Sequence, residues 1–265
     1  MGSQLSNTIV EGEDNTKTIG STEPDQLLEI ESLEKILNYK FKDKSLLLKA
    51  FTDASYVEDK CNSYERLELL GDSILNMGII YEFIKLYPKE SPGPLTKLRA
   101  VNVDTEKLAR VAVKHQLYRY LRHKKPLLEE QILEFVEAME KYPLHSNGLL
   151  KVPKVLADIV ESTIGALFMD GNSAETVWEV IKPLLEPIIP LDKMKSHPMT
   201  ELNEMCQKKN LKLTPKDTWE ENQTYCFQIE DKFVGCGQHP VKKETARNFA
   251  AKNAIDNFSK FFGDL

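Results

Sequence analysis

The chain has 265 residues, 41% hydrophobic and 29% charged, with four cysteines and a formal net charge of −6. That apolar share supports a real core and excludes wholesale disorder. Four cysteines are too few for a disulfide scaffold, and no stretch approaches the roughly 18 consecutive apolar residues of a membrane span.

The length suits one large domain or two unequal ones. No basic flank followed by an apolar run opens the chain, so no secretory signal is expected. An intracellular, reducing compartment follows as the expectation, nucleus or cytoplasm. The acidic balance argues weakly against nucleic acid, but a carboxylate-rich site can coexist with basic surface elsewhere.

Residues 1–26 are polar and lack an apolar period, so a disordered tail is expected there. The opening Met1-Gly2-Ser3-Gln4-Leu5-Ser6 fits the short N-myristoylation pattern at Gly2. No basic cluster follows to add the second signal that stable anchoring needs, so no membrane partner is expected.

From Leu27 to Pro190 the apolar spacing is helical. Leu27, Leu28, Ile30, Leu33, Ile36 and Leu37 recur at three and four residues, as do Leu67, Leu70, Ile74 and Leu75, and Val155, Ile159, Val160, Ile164 and Leu167. Pro92, Pro94, Pro126, Pro143 and Pro153 mark loops or helix starts. Residues 27–190 therefore read as one all-helical domain. Pro183, Pro187 and Pro190 stiffen the exit from it, with the linker proper at 191–195.

Residues 196–265 read as a small mixed module. Pro198 to Lys209 is helical. Thr218 to Glu230 and Phe233 to Gly237 alternate like strands joined at Asp231-Lys232, and Lys242 to Phe261 returns to a helical period. Cys226 and Cys236 fall near each other across that hairpin, where packing as free thiols is the expectation; a thiol switch is the sharper alternative.

The densest chemical signal is Tyr64-Glu65-Arg66-Leu67-Glu68-Leu69-Leu70-Gly71-Asp72-Ser73. Glu65, Glu68 and Asp72 stand at i, i+3 and i+7, so a helix places three carboxylates on one face. Asp158 and Glu161 repeat the i, i+3 arrangement inside an even more apolar segment. Carboxylates on apolar helices must be paired, protonated or bound to a cation. Salt bridges or helix caps are the plain reading of any one acid. Five acids in two such patterns instead suit a hard ion such as Mg²⁺, with Mn²⁺ as a substitute. The five histidines have no metal-ligand spacing, so no zinc site is expected.

Glu65 to Ser73 resembles the signature of the ribonuclease III family, endonucleases that cut double-stranded RNA. Three further blocks resemble the family in the same order: Leu33 to Tyr56; Ser91-Pro92-Gly93-Pro94-Leu95-Thr96-Lys97-Leu98-Arg99, in its Dicer-like form; and Lys154 to Glu161 with Gly165-Ala166. The arrangement is most similar to the small ribonuclease III-like proteins of plants. The resemblance implies an all-helical endonuclease domain whose catalytic acids are Asp72 and Glu161. It implies metal ligands Glu68, Asp158 and Glu161, and an acid at the dimer and RNA face, Glu65. The activity implied is hydrolysis of phosphodiesters to 5′-phosphate and 3′-hydroxyl ends, with a divalent ion activating water. One such domain cuts one strand, so a homodimer is implied for a double cut. Two positions depart from the family: Pro92 stands where many bacterial members have glutamate, and Asp53 where a histidine is common.

The C-terminal module resembles an α-β-β-β-α double-stranded RNA-binding domain. Lys242, Lys243 and Arg247 match the helix start that grips phosphates. Ten basic and ten acidic side chains from Ser196 onward give a net charge of zero, low for such a module, and Glu221-Asn222-Gln223-Thr224 lacks the family's Gly-Pro-x-His group. These departures point to low RNA affinity or a structural or protein-docking role for the module. The alternative function for the chain is a catalytically silent double-stranded RNA-binding protein acting as competitor or partner of a Dicer-like enzyme; the intact acids Glu68, Asp72, Asp158 and Glu161 argue against it. Arg119, Arg122, His123, Lys124 and Lys125 read as a solvated helix end.

Overall fold

The computed structural model describes residues 23–194 and 197–263. Most of the tail expected at 1–26, the Gly2 pattern included, lies outside the described residues. The first helix, α1 (Glu23–Leu37), already begins before the expected domain start at Leu27. It buries Ile30, Leu33 and Leu37 and leaves Leu27 and Leu28 exposed.

The helical unit continues with α2 (Lys44–Ala50), α3 (Glu65–Leu86), α4 (Pro92–Val103), α5 (Thr105–Lys114), α6 (Leu128–Met139), α7 (Val155–Gly171) and α8 (Ala174–Leu185). Short polar side chains start several of them by accepting otherwise unpaired N–H groups. Asp43 accepts from Ser45 N, Asp104 from Lys107 N and Ser173 from Thr176 N. Pro92 opens α4, where its missing N–H is harmless. Helix α8 runs on through Pro183 to Leu185, where the sequence suggested an exit. Burial of Ile181, Leu184 and Leu185 outweighs the hydrogen bond that Pro183 removes.

Helix α7 is buried nearly all round, as its unbroken apolar composition requires. Leu156, Ile159 and Ile164 have no exposed surface, nor do Leu47 and Leu108 from the helices around them. The crossing of α3 over α7 depends on two glycines. A Cβ on Gly71 would stand 1.7 Å from the Glu161 carbonyl oxygen, and one on Gly165 2.1 Å from that of Leu67. Only residues without a side chain allow these backbones to come so close.

The second unit consists of α9 (Pro198–Lys208), β1 (Leu213–Thr218), α10 (Trp219–Asn222), β2 (Thr224–Ile229), β3 (Phe233–Gln238) and α11 (Lys243–Phe262). Its strands form an antiparallel sheet in the order β1-β2-β3. Tyr225, Phe227 and Ile229 alternate inward from β2 and share a core with Ala246, Ala250, Ala254 and Phe258 of α11. The run expected as one strand over Thr218 to Glu230 is corrected: Trp219–Asn222 is a helical turn, Gln223 is left-handed, and β2 starts at Thr224. Strand β1 is an exposed edge carrying Pro215, a place where proline is tolerated and no alternation is needed.

Cys226 and Cys236 are directly paired across β2 and β3 and form a disulfide. The expectation of two packed free thiols is thereby corrected: partners facing each other on antiparallel strands lie within bonding reach. The two units meet where Asn248 Nδ2 donates to the Gly148 carbonyl at 3.0 Å and Lys97 lies 3.7 Å from Glu204.

Candidate active site

Glu65 and Glu68 occupy the first turn of α3, and Asp158 the first turn of α7. Helix N-termini favour carboxylates there by about 0.3–1 kcal/mol each. Where the two helices cross, Glu68, Asp158 and Glu161 each bring one carboxylate oxygen within 4.8 Å of the others. Asp158 is buried, and Glu68 and Glu161 are half-buried. Burial, then repulsion from Asp72, Glu68 and Asp158, pushes the Glu161 carboxyl up to about 8. Burial also raises Asp158, although Lys154 lies beside it.

Lys154 ends the loop before α7, and its ammonium bridges Glu68 Oε1 at 2.9 Å and Asp158 Oδ1 at 2.5 Å. Burial alone would lower this lysine, but its bonds to Asp158 and Glu68 hold it above its ordinary value. The other oxygen of Asp158 faces Tyr64, whose hydroxyl lies 3.1 Å away. The same hydroxyl is 3.2 Å from Asp53 Oδ2. Asp53 is buried, which raises its carboxyl, yet hydrogen bonds from Lys125 and Ser55 outweigh this and hold it below its ordinary range. Sequence reasoning assigns no role to Lys154 or Tyr64 and marks Asp53 only as a departure from the family. Lys125, expected in a solvated helix end, instead pairs with buried Asp53 at 2.5 Å. The Lys154–Asp158 spacing of four residues was the one local signal available.

Asp72 lies one turn beyond Glu68 and is exposed, outside the three-oxygen cluster. It acts on Glu161 through charge, and its own Oδ1 accepts from Asn76 Nδ2 at 2.7 Å. Asn76 in turn accepts from Arg99 at 2.5 Å. Glu65 is exposed on α3, also outside the cluster. Arg122, expected in a solvated helix end, is instead half-buried: its guanidinium lies over Tyr56 and donates to Thr52 Oγ1 at 3.1 Å and to the Leu48 carbonyl of α2 at 3.3 Å.

Lys242, Lys243 and Arg247 are exposed at the start of α11, away from the acids in sequence and on the other unit. Lys243 is paired with Asp217 at 2.5 Å. A groove of about 640 Å³ between the units is lined by Lys97, Lys154, His197 and Lys242, among others. Lys154, which bridges Glu68 and Asp158, and Lys242 of the C-terminal unit therefore line a single concavity.

Three carboxylates gather at the crossing and one ammonium pairs with two of them, an oxygen-rich donor set that fits a hard divalent cation. The ribonuclease III domain model matches residues 65–172, which contain all of these acids. Over 240 residues the chain is 46% identical to Ribonuclease 3-like protein 3 of Oryza sativa subsp. japonica, covering 89% of this chain and 80% of that protein. It is 42% identical over 231 residues to Endoribonuclease Dicer homolog 1 of Arabidopsis thaliana, covering 84% of this chain but 12% of that one. Among solved structures, a ribonuclease III nuclease domain from Campylobacter jejuni aligns at 28% identity with a TM-score of 0.47, covering 61% of this chain and 99% of that one. The class is that of hydrolytic endoribonucleases. The chain belongs to the ribonuclease III family.

Proposed function

We propose that this protein is a divalent-metal-dependent endoribonuclease that hydrolyses double-stranded RNA to 5′-phosphate and 3′-hydroxyl ends. The observation carrying this reading is the meeting of Glu68, Asp158 and Glu161 oxygens within 4.8 Å at a partly buried helix crossing. Left unanswered, such charges would destabilise the fold. These three acids would hold Mg²⁺, or Mn²⁺ in its place. The bound ion would lower the pKa of water and offset charge on the phosphoryl oxygens. Asp72, solvent-facing and one turn from Glu68, is suited to move a proton at the scissile phosphate.

Residues 27–190 serve as the catalytic domain and 196–265 as a double-stranded RNA-binding module. Lys97, Lys154 and Lys242 line one groove, which supports a shared RNA path. Arg247 and Lys242 stand free to meet phosphates, whereas Lys243 must first leave Asp217. Glu65 belongs to the RNA and dimer face. The exposed apolar stripe Leu69, Met77, Tyr81 and Ile84 along α3 supports a homodimer in which each domain cuts one strand.

The test is cleavage of long duplex RNA with Mg²⁺, with EDTA, and by the Asp72→Ala and Glu161→Ala variants. Each substitution should lower the rate about 10³-fold or more, several kcal/mol of transition-state stabilisation. Wild-type cutting by both variants would refute the assignment. Duplex binding without any cutting by the wild type would establish the silent reading instead.

A further inference from the structure

Asp158 has two oxygens with different neighbours. Oδ1 faces Lys154 at 2.5 Å, and Oδ2 faces the Tyr64 hydroxyl at 3.1 Å. Tyr64 is itself fixed at both ends. Its backbone N–H donates to Thr52 O at 2.8 Å, and its hydroxyl lies 3.2 Å from Asp53 Oδ2. Asp53, 2% exposed, is anchored by Lys125 Nζ at 2.5 Å on Oδ2 and by Ser55 N at 2.8 Å on Oδ1. The phenol carries one proton between two carboxylates. That proton is shared between them at nearly equal distances, so Asp53, itself held in place by Lys125 and Ser55, anchors the hydroxyl that also meets Asp158.

We propose that Tyr64 and Asp53 are positioning residues for Asp158, Asp53 fixing the Tyr64 hydroxyl and the hydroxyl holding Oδ2 so that Oδ1 is presented to the cation. The inference rests on the metal-site reading above. A ligating carboxylate free to rotate binds its ion less well, and loss of such an outer hydrogen-bond partner typically weakens metal affinity about 10–100-fold. This chain carries the anchoring carboxylate at Asp53, the position where its sequence departs from the family's histidine.

The experiment titrates the full chain with Mn²⁺ and follows free Mn²⁺ by electron paramagnetic resonance. Thermal unfolding of each variant checks that it is folded. Tyr64→Phe, which removes only the hydroxyl, should raise the Mn²⁺ dissociation constant about tenfold. Asp53→Asn should raise it several-fold, and the double variant no further than Tyr64→Phe alone. If Asp53→Asn fails to fold, Lys125→Met, which removes Asp53's exposed partner, should raise it by a smaller factor in the presence of Tyr64 and not in its absence.

Glu68→Ala separates the two levels of the claim. If Glu68→Ala loses Mn²⁺ while Tyr64→Phe binds within about twofold of wild type, the positioning role is overturned and the metal site stands. Additive losses from Asp53→Asn and Tyr64→Phe would show that Asp53 does not act through Tyr64. If Glu68→Ala and Asp158→Ala both bind Mn²⁺ like the wild type, the metal-site reading falls and the positioning role with it.

Discussion

The crossing of α3 and α7 and the start of α11 both concentrate charge, and they do so under opposite physical conditions. At the crossing, buried Asp158 and half-buried Glu68 and Glu161 lie at short range, and Lys154 bridges Glu68 and Asp158. At the start of α11, Lys242 and Arg247 stand in solvent, and net charge over the unit is zero. Buried charges perturb one another strongly and need an answering group, so their arrangement constrains function. Solvated charges are screened and tolerate replacement. The acids therefore carry more of the functional argument than the lysines.

The contrast breaks most severely at the helix crossing. Gly71→Val would drive a side chain into the Glu161 carbonyl, which a Cβ would already approach to 1.7 Å. We expect about 3 kcal/mol or more of destabilisation by denaturant unfolding, with loss of Mn²⁺ binding. Gly93→Ala is the control, since a Cβ there meets nothing within 4 Å; its effect should be neutral or stabilising by up to about 1 kcal/mol.

Next in size is the effect of pH. With its carboxyl at about 8, Glu161 holds a proton at neutral pH that a cation must displace. Mg²⁺ affinity should rise between pH 6 and 8, by at most about tenfold per unit, and flatten above 8. Without metal the sign for stability is the reverse. The folded state binds more protons than the unfolded one between 4.5 and about 8, so stability falls as pH rises across that window. Calorimetric titration and thermal unfolding over the same pH series would check both.

Reduction of Cys226–Cys236 removes a cross-link from the smaller unit alone. About 2–3 kcal/mol of that unit's stability should be lost, with the melting of the helical unit unchanged. The smallest effect belongs to the solvated lysines. Lys242→Ala should weaken duplex RNA binding a few-fold and lower the salt-dependence slope by about one, read from binding curves at several salt concentrations. Lys243→Ala should do less, because Asp217 already engages that side chain.

Much of the helical unit is legible in sequence because each helix buries a stripe at period 3.6, and α7 announces its central place by being apolar all round. The acids are legible for a related reason: carboxylates in apolar surroundings are conspicuous. Strand β1 is illegible because an exposed edge with Pro215 needs no alternation. The surroundings of Asp158 are illegible on different grounds. Tyr64 lies 94 residues from Asp158 and Lys125 72 from Asp53, so only the fold brings them together. The disulfide was open to inspection in the hairpin spacing, but pairing needed the register of β2 and β3, which sequence left one residue vague.

The most direct test of the central claim is anomalous diffraction at the manganese edge from crystals of the protein soaked in Mn²⁺. The account predicts a peak bonded to carboxylate oxygens of Glu68, Asp158 and Glu161, with the Lys154 ammonium displaced from between them. Occupancy elsewhere on the chain, with Lys154 still bridging Glu68 and Asp158, would contradict it.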